Sequence, residues 1–455
     1  MRDVAVVGAG IAGLTAAWQL RDLDTIVLEA DDRVGGRIKS VERGPHWVSV
    51  GAHMFPGEGS FLWGLLQELG LEPARITGSL LGIAYRGKVV TGGRAETFPL
   101  RLPLAPAARV SLARTGLRVR RDAARYNELA RRGEGETDSD VRRRLLGFLD
   151  DRSWAEYLGA MHPQVEEIFR ATTNRLTAEP DEIAAGCMVG LFAHVWATGN
   201  VVLGYNLRGG PSSLPQELAR RLGERVVTGA PVTEVGREAD GVRVRYRRGG
   251  QDEEVRARCA IVAAPAPVAR QVVADLPAET AAALDAIVYG PFVVGGILTG
   301  ETGPMPWDDI YSVLTVEKSF NMLFNHANAL REPGAPREHG GALMVYGGAG
   351  RARRLADKTD AEIEAIITGD LYDLYPQAKG VVREVLVQRW EHAIPFAAPG
   401  RARVQAALER GVDDTIFFAG DYVGEWTHME SAALTAAEAA AAVRARVAAR
   451  SDLVH

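Results

Sequence analysis

Near one end of the 455-residue chain "GAGIAG" spans Gly8 to Gly13, and near the other "HMESAALTAAEAA" opens an alanine-rich stretch at His428. Both places combine residue types that do chemistry with residue types that start helices. In the first, Gly8 permits a tight turn, Gly10 leaves the backbone bare for a pyrophosphate, and Gly13 lets a helix pack close on a strand, with Ala9 and Ala12 inside the motif. Glu29, followed by Ala30, comes 21 residues after Gly8 (29 − 8), the separation of a carboxylate that accepts ribose hydroxyls. An acid there favours a ribose without a 2′-phosphate. In the second, an imidazole stands directly before a helix start. Its free pKa near 6.5 suits it to take a proton or to hydrogen-bond an oxygen function at neutral pH.

These residues need a strand, a turn and a helix to hold them. Asp3 to Val7 is a β-branched run leading into the glycines, a helical pattern follows through Leu14, Ala17 and Leu20, and "TIVLEA" forms a second strand ending on Glu29. Near the other end, "FFAGDY" is a short apolar strand running into Gly420-Asp421, and Thr427 or Ser431 is available to cap the helix that follows. The length suits two or three domains, and 47 % hydrophobic with 24 % charged residues is globular composition. A net charge of −5 leaves no global attraction for nucleic acid. Cys187 and Cys259 lie far apart and suggest neither a disulfide framework nor a metal site, so a reducing, cytoplasmic setting is expected. The glycines at 8, 10 and 13 argue against reading the first twenty residues as a signal peptide.

Gly35-Gly36-Arg37 stands just beyond the second strand. Together with "GAGIAG" and Glu29 it resembles the extended FAD fingerprint of the flavin-containing amine oxidase superfamily, which also includes protoporphyrinogen oxidases and phytoene-type desaturases. Further blocks are similar in order: "GAHMF" (Gly51, Ala52, His53, Met54, Phe55) to the segment beside the flavin ring, "VVTGAPVTEV" to the strand whose valine, here Val232, meets adenine, "QRWEHAIPF" with Trp390 to the Trp...Pro block, and "FFAGDY...HMESAALTAAEAA" to the closing flavin motif. The resemblance implies an α/β fold, with a Rossmann-like FAD-binding domain over 1–79, 205–285 and 411–455. A discontinuous α+β substrate domain, mostly helical over 80–204 and mixed over 286–410, is inserted in it. It also implies that Gly420 and Asp421 serve the ribityl chain and that the helix starting near Met429 serves the flavin's pyrimidine edge.

Two departures from the family matter. The strand "VYGPFVVGGILTG" lacks the active-site lysine of monoamine-type members, and "WEHAIPFAAPGRA" lacks the thiol that binds flavin covalently in some of them. FAD is therefore expected to be non-covalent. Where many members have a cage tyrosine, this chain has His428, a candidate for substrate contact or catalysis, with Tyr205 and Phe396 as candidate substrate walls and no metal ligands. The implied activity is hydride removal from a C–N or C–C bond of a small or medium organic molecule, with oxygen or another acceptor reoxidising the cofactor. Desaturation or porphyrinogen oxidation of a larger apolar substrate, flavin-dependent isomerisation and a non-catalytic scaffold are the alternatives. The arginine-rich stretch over 106–132 is expected to be a solvated helix, with monotopic membrane contact as the other reading. The oligomeric state is left open.

Overall fold

The structure is a computed structural model and describes residues 1–77, 79–93, 97–196, 203–327, 330–332 and 334–451. The first β-branched run forms the strand Arg2–Val7, and Gly8 turns it into the helix Ile11–Gln19. Gly8 has φ +98°, a conformation that side chains rarely adopt. A Cβ on Gly13 would lie 1.9 Å from the Gly8 carbonyl oxygen, so only glycine lets this helix lie so close to the strand.

Arg2–Val7 pairs in parallel with Thr25–Leu28 on one side and with Gln251–Val262 on the other. Val226–Val227 extends the sheet beyond Thr25–Leu28, and Ile416–Phe418 joins in parallel along the last residues of Gln251–Val262. Val232–Glu238 and Gly241–Arg248 continue the sheet as an antiparallel meander. The parallel strands are covered on both faces, which is why they read as unbroken apolar runs. One face carries Ile11–Gln19 and the long helix Met429–Ser451. Ala433, Ala436 and Ala440 are buried between them, so the alanine-rich sequence is a close-packing face rather than a solvated one. Leu14, Val27, Ile261 and Val443 are fully buried in that layer, and each contributes about 1.5–3 kcal/mol over leaving the side chain in water. The other face carries Ala266–Val272, Ala278–Asp285 and Gln405–Arg410.

A second, mostly antiparallel sheet runs in the order Val382–Phe396, Val288–Thr299, Gly341–Gly348, Met322–Asn325, Ser312–Thr315, Gly82–Tyr85, Lys88–Val90. Its last two strands open the segment expected to be mostly helical, and Gly82–Tyr85 pairs in parallel with Ser312–Thr315. The helix Asp360–Leu374, started by a Thr359/Glu362 capping box, packs Ile363, Ile367 and Leu371 on one face of this sheet. The helices Pro106–Leu129, Asp138–Leu146, Trp154–Leu158, Pro163–Thr173 and Ala185–Trp196 share a core with its other face. Among the described residues no helix is long and apolar enough to cross a membrane.

Candidate functional site

The Glu29 carboxylate is pinned at the mouth of the first turn. Its Oε2 accepts the Ala9 N–H at 2.6 Å and its Oε1 accepts the Asp31 N–H at 2.9 Å. Each oxygen keeps a lone pair for a further donor. The Gly35 N–H donates to the Ala9 carbonyl at 2.8 Å, which stands the second glycine pair over the first turn, while Ala30 is exposed beyond the strand end. The helix Ile11–Gln19 has neither a side-chain cap nor an acid in its first turn, and the space where a Gly10 Cβ would point is open to 4 Å. Free N–H groups with an open approach fit an anionic pyrophosphate, so the residues present suit the FAD that the fingerprint implies. Val232, half-buried, opens the strand that lies across Tyr246 in the same sheet.

Arg37 joins three distant segments. Its guanidinium donates to both oxygens of Asp421, at 2.7 and 2.8 Å, and to the Ala393 carbonyl at 2.8 Å. Burial works against the Arg37 charge, but the Asp421 carboxylate outweighs it and holds the arginine protonated beyond its ordinary range. The Ala52 N–H donates to the Arg37 carbonyl at 3.0 Å, and a Cβ on Gly51 would lie 2.2 Å from that same oxygen. Trp390 Nε1–H donates to the Val50 carbonyl at 2.7 Å. Gly51, Ala52, Trp390, Arg37 and Asp421 are therefore brought together. Gly420 is clasped by Thr435, whose hydroxyl accepts its N–H and donates to its carbonyl, each at 3.0 Å.

The start of Met429–Ser451 departs from expectation. Its cap is neither Thr427 nor Ser431 but His428, whose Nδ1 accepts the Ser431 N–H at 3.1 Å. An imidazole can do this only while that nitrogen is unprotonated. Burial first, then the neighbouring His194, pushes the His428 pKa down to about 4. At neutral pH it is uncharged, and its ring lies parallel to Trp426 at 6.5 Å. Met429 is buried against the first sheet's helices, and Glu430 reaches across to cap the helix Phe61–Leu69, accepting the N–H groups of Phe61 and Leu62 at 2.7 and 2.9 Å.

His53 turns into the second sheet, while Met54 beside it is half-buried. Its Nδ1–H donates to the Gly51 carbonyl at 3.1 Å, its ring meets Phe324 at 4.5 Å and His326 at 4.7 Å, and burial pushes its pKa down to about 4. Tyr205 and Phe396 are not neighbours on one wall. The Tyr205 ring rests on Trp63 at 4.9 Å, whereas Phe396 lines a cavity of about 20 Å³ with Cys187, Arg401, Asp421, Trp426 and Thr427. That volume holds one water. Cys187 is a residue that sequence reasoning missed, since the fold brings it from a distant helix to the backbone of Ala397. Burial raises its pKa to about 12, so the thiol stays protonated and weakly nucleophilic. Glu430, Thr435 and His326 were missed as well; only Glu430 had a signal, its place beside Met429 in the closing motif. Among the described residues no three His, Cys, Asp or Glu side chains gather as a metal site.

The family profile described as "Flavin containing amine oxidoreductase" matches residues 11–444. Coproporphyrinogen III oxidase of Mycobacterium bovis is 26 % identical over 461 aligned residues, covering 93 % of each chain. Amine oxidase [flavin-containing] A of Canis lupus familiaris is 28 % identical, over 53 % of this chain and 46 % of its own length, so the chain spans about half of that relative. Among solved structures, putrescine oxidase with bound putrescine matches at TM-score 0.76 with 22 % identity, over 98 % of this chain and 99 % of that one. Cyclohexylamine oxidase from Brevibacterium oxydans IH-35A matches at 0.77 with 21 % identity over the same shares. At that identity they show a shared fold.

Proposed function

The chain belongs to the flavin-containing amine oxidoreductase family and is an FAD-dependent oxidoreductase, and from that premise we propose that it removes a hydride from a C–N or C–C bond of a small or medium organic substrate. Bound FAD supplies the hydride acceptor. The observation that carries the reading is the start of Met429–Ser451, the positive end of a long helix fixed by His428 and Thr435 next to Asp421 and Arg37. A helix N-terminus stabilises nearby negative charge by about 0.3–1 kcal/mol, more when partly buried, which favours accepting a hydride.

In this reading Gly8, Gly10, Gly13 and the helix Ile11–Gln19 hold the pyrophosphate, Glu29 the ribose, Val232 the adenine, Gly36 and Arg37 the turn that closes on Asp421, and Asp421 the ribityl chain. Gly51 to Met54, Trp390 and Met429 border the ring. The FAD-binding unit comprises 1–79, 205–285 and 411–455, to which packing adds the helix Gln405–Arg410; the substrate unit is the remainder. A substrate amine that arrives neutral needs positioning about 3–3.5 Å from the acceptor more than it needs a base, and His428, whose pKa burial lowers to about 4, is a weak base. Oxygen or another acceptor closes the cycle. FAD is held without a covalent bond in this reading, since the stretch after Trp390 that carries the linking thiol in some members has none here.

A porphyrinogen-type substrate is the second reading, favoured by the coproporphyrinogen III oxidase relative that aligns over 93 % of both chains. Anaerobic mixing decides. Bleaching of the flavin band by an aliphatic amine supports the first reading, and bleaching by a porphyrinogen alone supports the second. Product without bleaching points to isomerisation and sinks both. Acid precipitation should leave the yellow colour in the supernatant; colour in the pellet would disprove non-covalent binding.

A further inference from the structure

The helix Pro106–Leu129 buries Ala108, Thr115, Val119, Ala123 and Tyr126 against the second domain's core. Its opposite face is the solvated, arginine-rich surface expected, with Arg109, Arg114, Arg120, Arg121 and Arg125 exposed, but aliphatic side chains stand exposed among them. Val110 and Leu117 are 61 % and 69 % exposed, and Leu100, just ahead of the helix, is 67 % exposed. Val110 and Leu117 stand two turns apart on one stripe, with Ala113 between them. The Arg109 guanidinium donates to the Leu100 and Leu102 carbonyls, which ties Leu100 to the same patch.

Charge is arranged around this stripe. Helical spacing sets Arg109 and Arg120 along one border and Arg114 and Arg121 along the other. The helix carries six arginines against two acids, Asp122 and Glu128, and Asp122 is buried beneath it, accepting from Tyr157 at 2.8 Å. The Arg114 and Arg120 side chains make no hydrogen bond or ion pair among the described residues. An apolar centre flanked on both sides by arginines whose stems can lie along it is the pattern of a helix that rests in the headgroup layer of an anionic bilayer. A second copy fits less well, since a two-fold contact through this face would set arginine against arginine.

We propose that the face formed by Leu100, Val110 and Leu117, with Arg114 and Arg120 beside it, docks this enzyme on the surface of a membrane containing anionic lipids. The binding is peripheral, by insertion of three aliphatic side chains and charge attraction.

The test is flotation of the full-length, FAD-loaded protein with phosphatidylcholine vesicles, with and without phosphatidylglycerol. The protein should float with the anionic vesicles, and flotation should fall as salt rises. Arg114→Gln and Arg120→Gln should each lower the partition coefficient about fivefold, the equivalent of ~1 kcal/mol per charge at such a surface. Val110→Glu with Leu117→Glu should abolish flotation while leaving FAD content and turnover of a small substrate in solution unchanged. Wild-type protein that stays behind with both vesicle types would overturn the proposal, as would variants that float like wild type. A concentration-dependent dimer that Leu117→Glu splits would assign the face to self-association instead.

Discussion

Arg37 and Asp421 lie 384 residues apart and meet through two parallel hydrogen bonds of 2.7 and 2.8 Å. One residue ends the glycine-rich N-terminal motif and the other lies in the C-terminal "FFAGDY" stretch, so this pair ties those two distant segments together.

Asp421→Ala should therefore destabilise the protein out of proportion to its size. It leaves a guanidinium whose side chain is 33 % exposed with the Ala393 carbonyl as its remaining partner, and because water reaches it in part the cost is about 1–3 kcal/mol. Arg37→Lys should be only partly better, since an ammonium cannot make the two-pronged contact. Thermal unfolding and retained flavin after gel filtration read both effects. Wild-type behaviour of Asp421→Ala would mean the pair is not formed.

Glu29→Ala removes the acceptor that orders the Ala9 N–H and, in the proposed function, the carboxylate that meets the ribose. Loss of charge-assisted contacts of this kind should weaken FAD binding by roughly 1.5–3 kcal/mol, ten- to a hundredfold in Kd. Titration of the apoprotein with FAD measures it. An unchanged Kd would remove Glu29 from the cofactor site.

The strand, turn and helix around Gly8 were legible because local sterics dictate them: a positive φ and a 1.9 Å contact at Gly13 admit no other residue. The C-terminal helix start was legible from the alanine-rich run that follows Gly420-Asp421. Its cap was not, since Thr427, His428 and Ser431 can all accept an N–H, and it is the folded backbone that sets the His428 Nδ1 on the Ser431 N–H. Long-range partners left little trace. Cys187 reaches Ala397 across some 210 residues and Glu430 caps Phe61–Leu69 across some 370, contacts that only the folded chain creates. Likewise, composition marked the arginines of Pro106–Leu129, but only the fold shows that Val110 and Leu117 point outward.

Stability should fall in acid in part through His53, one of three histidines whose pKa burial lowers, the others being His326 and His428. The His53 pKa is about 4 in the folded protein, below the 6.5 of a free histidine, so the unfolded chain binds the extra proton. The contribution is fully present above about pH 6.5 and is lost as pH falls towards about 4, with a slope of up to ~1.4 kcal/mol per pH unit. His53→Phe, which keeps the ring beside Phe324, should flatten the pH dependence of the urea-unfolding free energy by that amount. Parallel curves for variant and wild type would show that His53 is solvated.

His428 can be dissected because its two duties need different atoms. Nδ1 caps the helix at Ser431, which an asparagine reproduces and a phenylalanine does not, so His428→Phe should lose about 1 kcal/mol of stability while His428→Asn loses little. The other nitrogen is the one free to meet a substrate, and neither replacement supplies it. We therefore expect kcat/KM to fall about tenfold or more in both variants, whereas weakened FAD retention should accompany only the Phe change. The pH profile should keep its shape. With a pKa of about 4 the imidazole is already neutral through the range near pH 6–7, so any limb there belongs to the substrate amine or another group. A limb that vanishes in His428→Asn would make the imidazole a general base whose pKa rises when substrate binds. Wild-type turnover in His428→Asn would reduce the residue to a helix cap that serves the cofactor alone.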